Sequence, residues 1–147
     1  MNNVKANFFP AILLILVSAF FCQIAISQES DSSVFEILTG NWSGEYVYPN
    51  GVDKNNWIMD RRADGTYDLL KQEWRNNELM EEYMSHGIWW IENGMFYSRI
   101  DGFYHAPDIY RIEMVSKNEI AFVEQKNRYK TTEFIDGYSF TDYRVFM

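Results

Sequence analysis

The fold prediction starts from the stretch Leu38–Gly44, which reads LTGNWSG. Gly40 lets the chain turn or approach another backbone closely, because glycine carries no Cβ atom. Trp42 follows two residues later and places a large ring on one side of the strand that begins here. From this point the apolar pattern has a period of two, which is typical of strands. We therefore predict that Trp42 belongs to the first strand of a barrel and closes one of its ends.

Short strand-like segments separated by turn residues continue from Trp42 to the C-terminus. A meander of this length has two exposed edges unless it closes on itself. We therefore expect an all-β fold, a single antiparallel up-and-down β-barrel of about eight to nine strands. The segment Tyr138–Phe146 is either a ninth strand or an extension of the eighth. The predicted strands are Trp42–Tyr48, Asn56–Arg62, Thr66–Trp74, Glu82–Ile91, Met95–Ile100, Asp108–Val115, Glu119–Gln125, Tyr129–Ile135 and Tyr138–Phe146.

The turn chemistry supports this strand order. Asp64-Gly65 and Asn93-Gly94 are the residue pairs most typical of tight hairpins. A polar loop is predicted at Arg75–Glu78. Before the first strand, Val34–Leu38 has apolar residues at near-helical spacing, and the polar residues 31–33 can cap it. This pattern predicts a short N-terminal helical turn that lies across one barrel end.

Residues 1–27 have the pattern of a signal peptide. Lys5 precedes an apolar run, and Ala25-Ile26-Ser27 places small residues where a signal peptidase cleaves, which predicts a cut before Gln28. The expected domains are the signal peptide, 1–27, and the β-barrel domain, 28–147. The product would be exported, either periplasmic or secreted, without a transmembrane span. An uncleaved anchor is the alternative, although the apolar run is shorter than the ~20 residues of a membrane span.

Cys22 is the sole cysteine and lies inside the predicted signal. Lipidation at Cys22 is disfavoured because bulky Phe20 and Phe21 precede it. The exported domain would therefore contain no disulfide. The formal net charge of −8 disfavours binding to nucleic acid or to an anionic membrane surface, because both would repel the protein. The aromatic content of 18% suits strands that bury one face.

Three motifs carry a resemblance to a known family. They are Gly40-Asn41-Trp42, the hairpin Arg62–Tyr67 (RADGTY) and Gly87-Ile88-Trp89. Together they resemble the calycin superfamily, which comprises lipocalins and bacterial lipocalin-like domains. The resemblance implies a structural signature of Gly40, Trp42 and Arg144, with the Arg144 guanidinium stacked over the Trp42 ring. The chain differs from the larger family in its short length and in the absence of a clear helix after the last strand.

Catalytic chemistry has little support in the sequence. The two histidines, His86 and His105, are fewer than the three protein ligands that a catalytic zinc site normally uses. No serine lies in a nucleophile-elbow context and no glycine-rich phosphate loop is present. Glu81 and Glu82 are adjacent on a predicted strand, so their side chains face opposite sides of the sheet. We therefore predict no enzyme, no metal site and no cofactor, and an enzyme on a calycin barrel is the weakest of three hypotheses.

The favoured hypothesis is that the barrel binds a small hydrophobic or amphipathic molecule in an aromatic-lined interior. Arginines also lie on the strands, and one that points inward would pair with a ligand carboxylate, although outward positions are commoner. A shift of one residue in register would exchange every inward candidate for its neighbour. The candidate ligand-binding residues are Tyr46, Trp57, Met59, Tyr67, Tyr83, Trp89, Phe96, Arg111 and Phe122.

The alternative is a non-enzymatic structural or interaction protein of the cell envelope. In that case the barrel is filled by its own side chains. The loop Asp101–Pro107, which carries Phe103 and Tyr104, would then contact a protein partner.

Overall fold

The computed structural model describes residues 31–102, 106–126 and 138–146. Several sequence predictions therefore lie outside the described residues. These are the signal peptide at 1–27, the strand predicted at Tyr129–Ile135, the loop residues Phe103 and Tyr104, and His105.

One helix precedes eight antiparallel strands in the described part of the chain. Each strand pairs with the next, and β8 pairs with β1, so the sheet closes into a barrel. The predicted up-and-down barrel is therefore confirmed, and the segment predicted as a ninth strand or an extension of the eighth is β8. The helix α1 spans residues 31–38. The strands are β1 Gly40–Val47, β2 Lys54–Arg61, β3 Thr66–Arg75, β4 Glu78–Glu92, β5 Met95–Ile100, β6 Asp108–Val115, β7 Glu119–Glu124 and β8 Ser139–Arg144.

The β3–β4 connection is tighter than the predicted polar loop. Only two residues, Asn76 and Asn77, separate the strands, and their φ angles are 50° and 64°. Asparagine is one of the few residues that adopts this left-handed conformation at low cost, so the pair forms a two-residue hairpin turn without glycine. As a result β4 begins at Glu78 instead of Glu82.

The two barrel ends differ. The closed end carries α1, the N-terminus of β1 and the turns at 62–65, 93–94 and 116–118. The opposite end, which we call the open end, carries the connection at 48–53, the turn at 76–77 and the described residues 101–102, 106–107, 125–126 and 138. The one helix among the described residues lies at the closed end.

Trp42 closes the barrel at the closed end. Its side chain is fully buried, and its indole Nε1 donates a hydrogen bond of 2.8 Å to the carbonyl oxygen of Leu38, the last residue of α1. The guanidinium carbon of Arg144 lies 4.4 Å from the centroid of the Trp42 ring. This is the stacked arrangement that the family resemblance implies, and it joins the two ends of the described barrel sequence.

The helix is held against this end by two further contacts. The Phe35 ring stacks on the Trp89 ring at a centroid distance of 4.2 Å. The carboxylate of Asp31 accepts hydrogen bonds from the backbone N–H groups of Asn93 and Gly94, at 2.9 and 2.8 Å, in the β4–β5 turn. The predicted helix across a barrel end is therefore confirmed.

Candidate ligand-binding cavity

A cavity of about 210 Å³ lies inside the barrel. The strand register explains its lining, because alternate residues of paired strands face inward together: Trp57 is opposite Gly44, Lys71 is opposite Tyr83, and Tyr110 is opposite Phe96. The side chains of the described residues therefore leave part of the interior unfilled. The apolar walls are formed by Trp57, Met59, Tyr67, Leu69, Phe96 and Phe140.

Five of the nine candidate residues from the sequence line this cavity: Trp57, Met59, Tyr67, Tyr83 and Phe96. Two others, Trp89 and Phe122, are buried in the core that supports it, and the Phe122 ring lies 5.2 Å from the Phe96 ring. Tyr46 lies nearer the open end, where its ring contacts that of Tyr138 at 4.5 Å.

The expectation for Arg111 is wrong. Arg111 is exposed on the outer face of β6, and its Nη2 atom donates a hydrogen bond of 2.7 Å to Glu113. The reason is strand alternation, because the neighbouring Tyr110 lines the cavity and Ile112 packs against the core. An inward Arg111 would require the register of β6 to shift by one residue.

The arginine that faces inward is Arg61, at the end of β2. Only 1% of its side chain is exposed, and it lines the cavity on the side of the closed end, which we call the cavity floor. Arg61 Nη2 donates a hydrogen bond to the carboxylate of Asp142, which is fully buried on β8. The other carboxylate oxygen of Asp142 accepts a hydrogen bond of 2.8 Å from the indole Nε1 of Trp57.

Sequence reasoning missed Asp142. A signal was present, because Asp142 alternates with Phe140 and Arg144 on β8, and Arg144 was already expected to face Trp42. The same alternation therefore places the Asp142 carboxylate inside the barrel. A buried carboxylate needs a cationic or hydrogen-bonding partner, which directs attention to an inward arginine.

Aromatic ring faces surround the Arg61 guanidinium. Its central carbon lies 5.0 Å from the ring centroid of Phe96, 5.4 Å from that of Phe122 and 5.8 Å from that of Trp42. Such contacts are attractive because the ring face carries partial negative charge. Within the described part of the chain, Arg61 Nε and Nη1 have no hydrogen-bond partner.

Three phenol groups of the cavity region stay protonated at neutral pH. Burial, followed by the negative charges of Asp108 and Asp101, raises the pKa of Tyr67 to about 12. Burial also raises the pKa of Tyr110 well above its usual value, and the pKa of Tyr138 is raised for the same leading reason. These side chains therefore offer neutral hydroxyl groups and add no negative charge to the cavity.

Lys71 remains a cation near the open end. Burial lowers its pKa, but hydrogen bonds to Glu73 and Tyr83 more than offset that effect, so the pKa is raised overall. The Lys71 Nζ atom lies 3.0 Å from a carboxylate oxygen of Glu73. Its positive charge is therefore already balanced by a neighbouring carboxylate.

His86 lies on the outer face of the barrel wall. Its side chain is 66% exposed, and its Nδ1 atom pairs with the carboxylate of Asp68, which also pairs with Arg62. The hydrogen bonds from His86 and then Arg62 lower the pKa of Asp68. Among the residues that the structure describes, no group of three potential metal ligands is present.

A larger concavity of about 780 Å³ lies on the outer surface of β8, β1, β2 and β3. Most of its lining side chains alternate outward along their strands, and Ile58 and Tyr143 are about half exposed. Its lining comes from four neighbouring strands, whereas the smaller interior cavity is bounded by residues of β2, β3, β4, β5, β6 and β8. We therefore take the interior cavity as the candidate site.

No protein-family model matches this chain, and no curated protein is significantly similar to it. Within residues 31–102, 106–126 and 138–146, no helix has the length and apolar character needed to cross a bilayer. The candidate site therefore depends on the geometry of the barrel.

Proposed function

We propose that this protein is an exported, non-enzymatic, lipocalin-like barrel that binds a small apolar or amphipathic molecule in its interior. The observation that carries the proposal is the cavity of about 210 Å³ with aromatic walls above the buried pair of Arg61 and Asp142. Apolar walls with a few polar groups that orient a ligand are typical of small-molecule sites.

The size of the cavity restricts the ligand. A cavity of roughly 150 Å³ accommodates benzene, so 210 Å³ suits a molecule of one ring or a compact pair of rings. Drug-sized ligands occupy pockets of roughly 300–1,000 Å³. A sterol, a haem or a long fatty acid would be larger than this cavity.

The expected affinity is modest. A one-ring ligand has roughly the 150–250 Å² of surface that an aromatic side chain buries. At ~25 cal/mol per Å², its burial contributes about 4–6 kcal/mol. This corresponds to a dissociation constant of about 0.04–1 mM. Titrations therefore need a method that detects weak binding, such as two-dimensional NMR.

Cumene, an apolar one-ring molecule, is a suitable first probe. We expect saturable binding that shifts the NMR signals of Trp57 and Leu69, which line the cavity. Replacing Ser98, another lining residue, by phenylalanine fills the cavity and should abolish binding. The matched control is Arg99→Phe, because the next residue on β5 faces the opposite side of the sheet and is exposed.

Both variants must retain the circular dichroism spectrum of the parent protein. If Ser98→Phe impairs folding, Leu69→Phe provides a second filled cavity, with Leu70→Phe on the opposite face as its control. Saturable cumene binding that persists unchanged in a folded Ser98→Phe or Leu69→Phe variant would contradict an interior site.

Export is a separate part of the proposal and depends on the sequence pattern of residues 1–27. We expect the mature protein to begin at Gln28. Mass spectrometry of the protein recovered from the cell envelope or the medium measures this directly. A mature protein that retains Met1, or carries a lipid on Cys22, would contradict the expected processing.

A further inference from the structure

Arg61 has hydrogen-bonding capacity that the described protein groups do not use. A guanidinium carries five N–H groups, on Nε, Nη1 and Nη2. Only Nη2 is bonded, to Asp142, while Nε and Nη1 are buried and have no partner in the described part of the chain. Buried donors without acceptors are unfavourable and uncommon in native proteins.

A hydrogen-bond acceptor for these N–H groups would have to come from the cavity, because the other sides of the Arg61 guanidinium are occupied. The guanidinium is covered by the rings of Phe96, Phe122 and Trp42, and it is paired with Asp142. Ring faces attract the positive charge but accept hydrogen bonds only weakly. Arg61 also lines the cavity, but its Nε and Nη1 atoms are covered by neighbouring side chains, so a ligand oxygen reaches these N–H groups when those side chains shift.

The charges around the cavity favour a neutral acceptor over an anion. Asp142 already balances Arg61, and Glu73 already balances Lys71. A ligand carboxylate would therefore add a surplus negative charge to a buried site, where charges are costly and repel one another strongly.

We infer that the ligand carries a neutral carbonyl-type acceptor, as in a ketone, ester or amide, and that this oxygen is bound by the unpaired N–H groups of Arg61 at the cavity floor. The apolar remainder of the ligand then lies against the walls formed by Trp57, Met59 and Leu69. This inference rests on the proposed ligand-binding function and names the chemical class of that ligand.

Three probes of nearly the same size and shape test the inference on the barrel protein: cumene, acetophenone and benzoate. They share one ring and differ in the branched group, which is apolar, a neutral carbonyl or an anion. A carbonyl loses its hydrogen bonds to water on entering the cavity, and this cost weakens acetophenone binding relative to cumene binding in every variant. The preference for acetophenone over cumene must therefore be compared between protein variants. The measured quantity is the cumene-to-acetophenone ratio of dissociation constants.

The test variant is the double substitution Arg61→Met with Asp142→Leu. Replacing both partners of a buried ion pair by apolar residues is often neutral for stability, whereas removing one partner leaves an unpaired charge. We expect this ratio to fall about tenfold or more in the double variant, since a hydrogen bond from a charged donor contributes at least about that factor. Arg111→Met, on the outer face, is the matched control and should leave the ratio unchanged.

Infrared spectroscopy gives a second measurement that needs no variant. The carbonyl stretch of acetophenone bound to the parent protein should lie at lower frequency than in an alkane, because Arg61 withdraws electron density through its hydrogen bonds. If the double variant fails to fold, this measurement still tests the inference, because a carbonyl that absorbs as in an alkane would overturn it.

The outcomes separate the inference from the proposed function. If none of the probes binds the parent protein, both are overturned. If cumene binds but the ratio is unchanged in a folded double variant, or the bound carbonyl absorbs as in an alkane, the inference is wrong and the cavity function stands. If benzoate binds more tightly than acetophenone, the floor is an anion site and the inference of a neutral acceptor is overturned.

Discussion

Gly44 allows the polar contacts at the cavity floor to form across a strand. In the register of the sheet, Gly44 on β1 is opposite both Trp57 on β2 and Asp142 on β8. Because Gly44 has no side chain, the Trp57 indole crosses above it and donates its 2.8 Å hydrogen bond to Asp142. A Cβ atom at Gly44 would lie 2.7 Å from the Asp142 carboxylate and would also clash with the Trp57 ring.

Gly44→Ala should therefore displace the Trp57 ring and weaken its hydrogen bond to Asp142. We expect a loss of about 1–3 kcal/mol in the free energy of unfolding, as for overpacked cores. Urea unfolding measures this loss. The control is Ser43→Ala on the outer face, with an expected change within about 0.5 kcal/mol. Equal stabilities of the two variants would contradict the role assigned to Gly44.

At the scale of elements, Arg144 joins three segments at the closed end. Its Nη2 atom donates to the carbonyl of Ile37 in α1 at 2.6 Å, and its Nε atom donates to the carbonyl of Lys117 in the β6–β7 turn at 2.6 Å. Its guanidinium also covers the ring of Trp42. A cation at the C-terminus of α1 is favourable, because the free carbonyls there carry partial negative charge.

Arg144→Lys should weaken this junction although it keeps the positive charge. A lysine ammonium cannot stack flat on Trp42 while it donates to carbonyls in two separate segments. We expect a loss of about 1–2 kcal/mol, the order of one or two hydrogen bonds from a charged donor. Chemical unfolding followed by tryptophan fluorescence measures the loss. Arg111→Lys is the control, and a loss no greater than that of the control would contradict the assignment.

At the scale of the whole molecule, closure of the barrel buries several phenol groups in one region. Tyr67, Tyr110 and Tyr138 come from different strands or their flanks, and burial raises the pKa of each. An unfolded tyrosine ionises at about pH 10, whereas the folded Tyr67 ionises at about 12. The protein therefore loses stability as the pH rises through this interval, because the unfolded state releases its protons first.

Tyr67→Phe should reduce this alkaline sensitivity. Below about pH 10 Tyr67 is protonated in both states, so its ionisation costs no stability there. Between about pH 10 and 12, the variant should lose up to about 1.4 kcal/mol less stability per pH unit than the parent. Urea unfolding at several alkaline pH values measures the slope. Met59→Leu is the control, because it changes a lining residue without a titrating group, and identical slopes for Tyr67→Phe and the parent would contradict the prediction.

The strand succession was predictable because its signals are local. Alternation along Trp42–Tyr48 and the turn pairs Asp64-Gly65 and Asn93-Gly94 act over a few residues. The loop at Asn76-Asn77 was predicted less well, since asparagine without glycine gives a weaker turn signal. Trp57, Met59 and Tyr67 face the barrel interior, as Trp42 does. Their direction follows from strand alternation, because the register of β1, β2 and β3 is set by the short connections between them.

Residue periodicity and turn chemistry were enough to predict a meander of short strands that begins near Trp42, with a short helix before it. The position of Arg144 over Trp42 was implied by the family resemblance. Which charges lie inside could be read only from the closed barrel. Arg61 and Asp142 are separated by 81 residues and become partners only when β8 closes against β1. The physical reason is that barrel closure determines which strands face each other across the interior. A pattern of a few neighbouring residues contains no information about a partner 81 residues away.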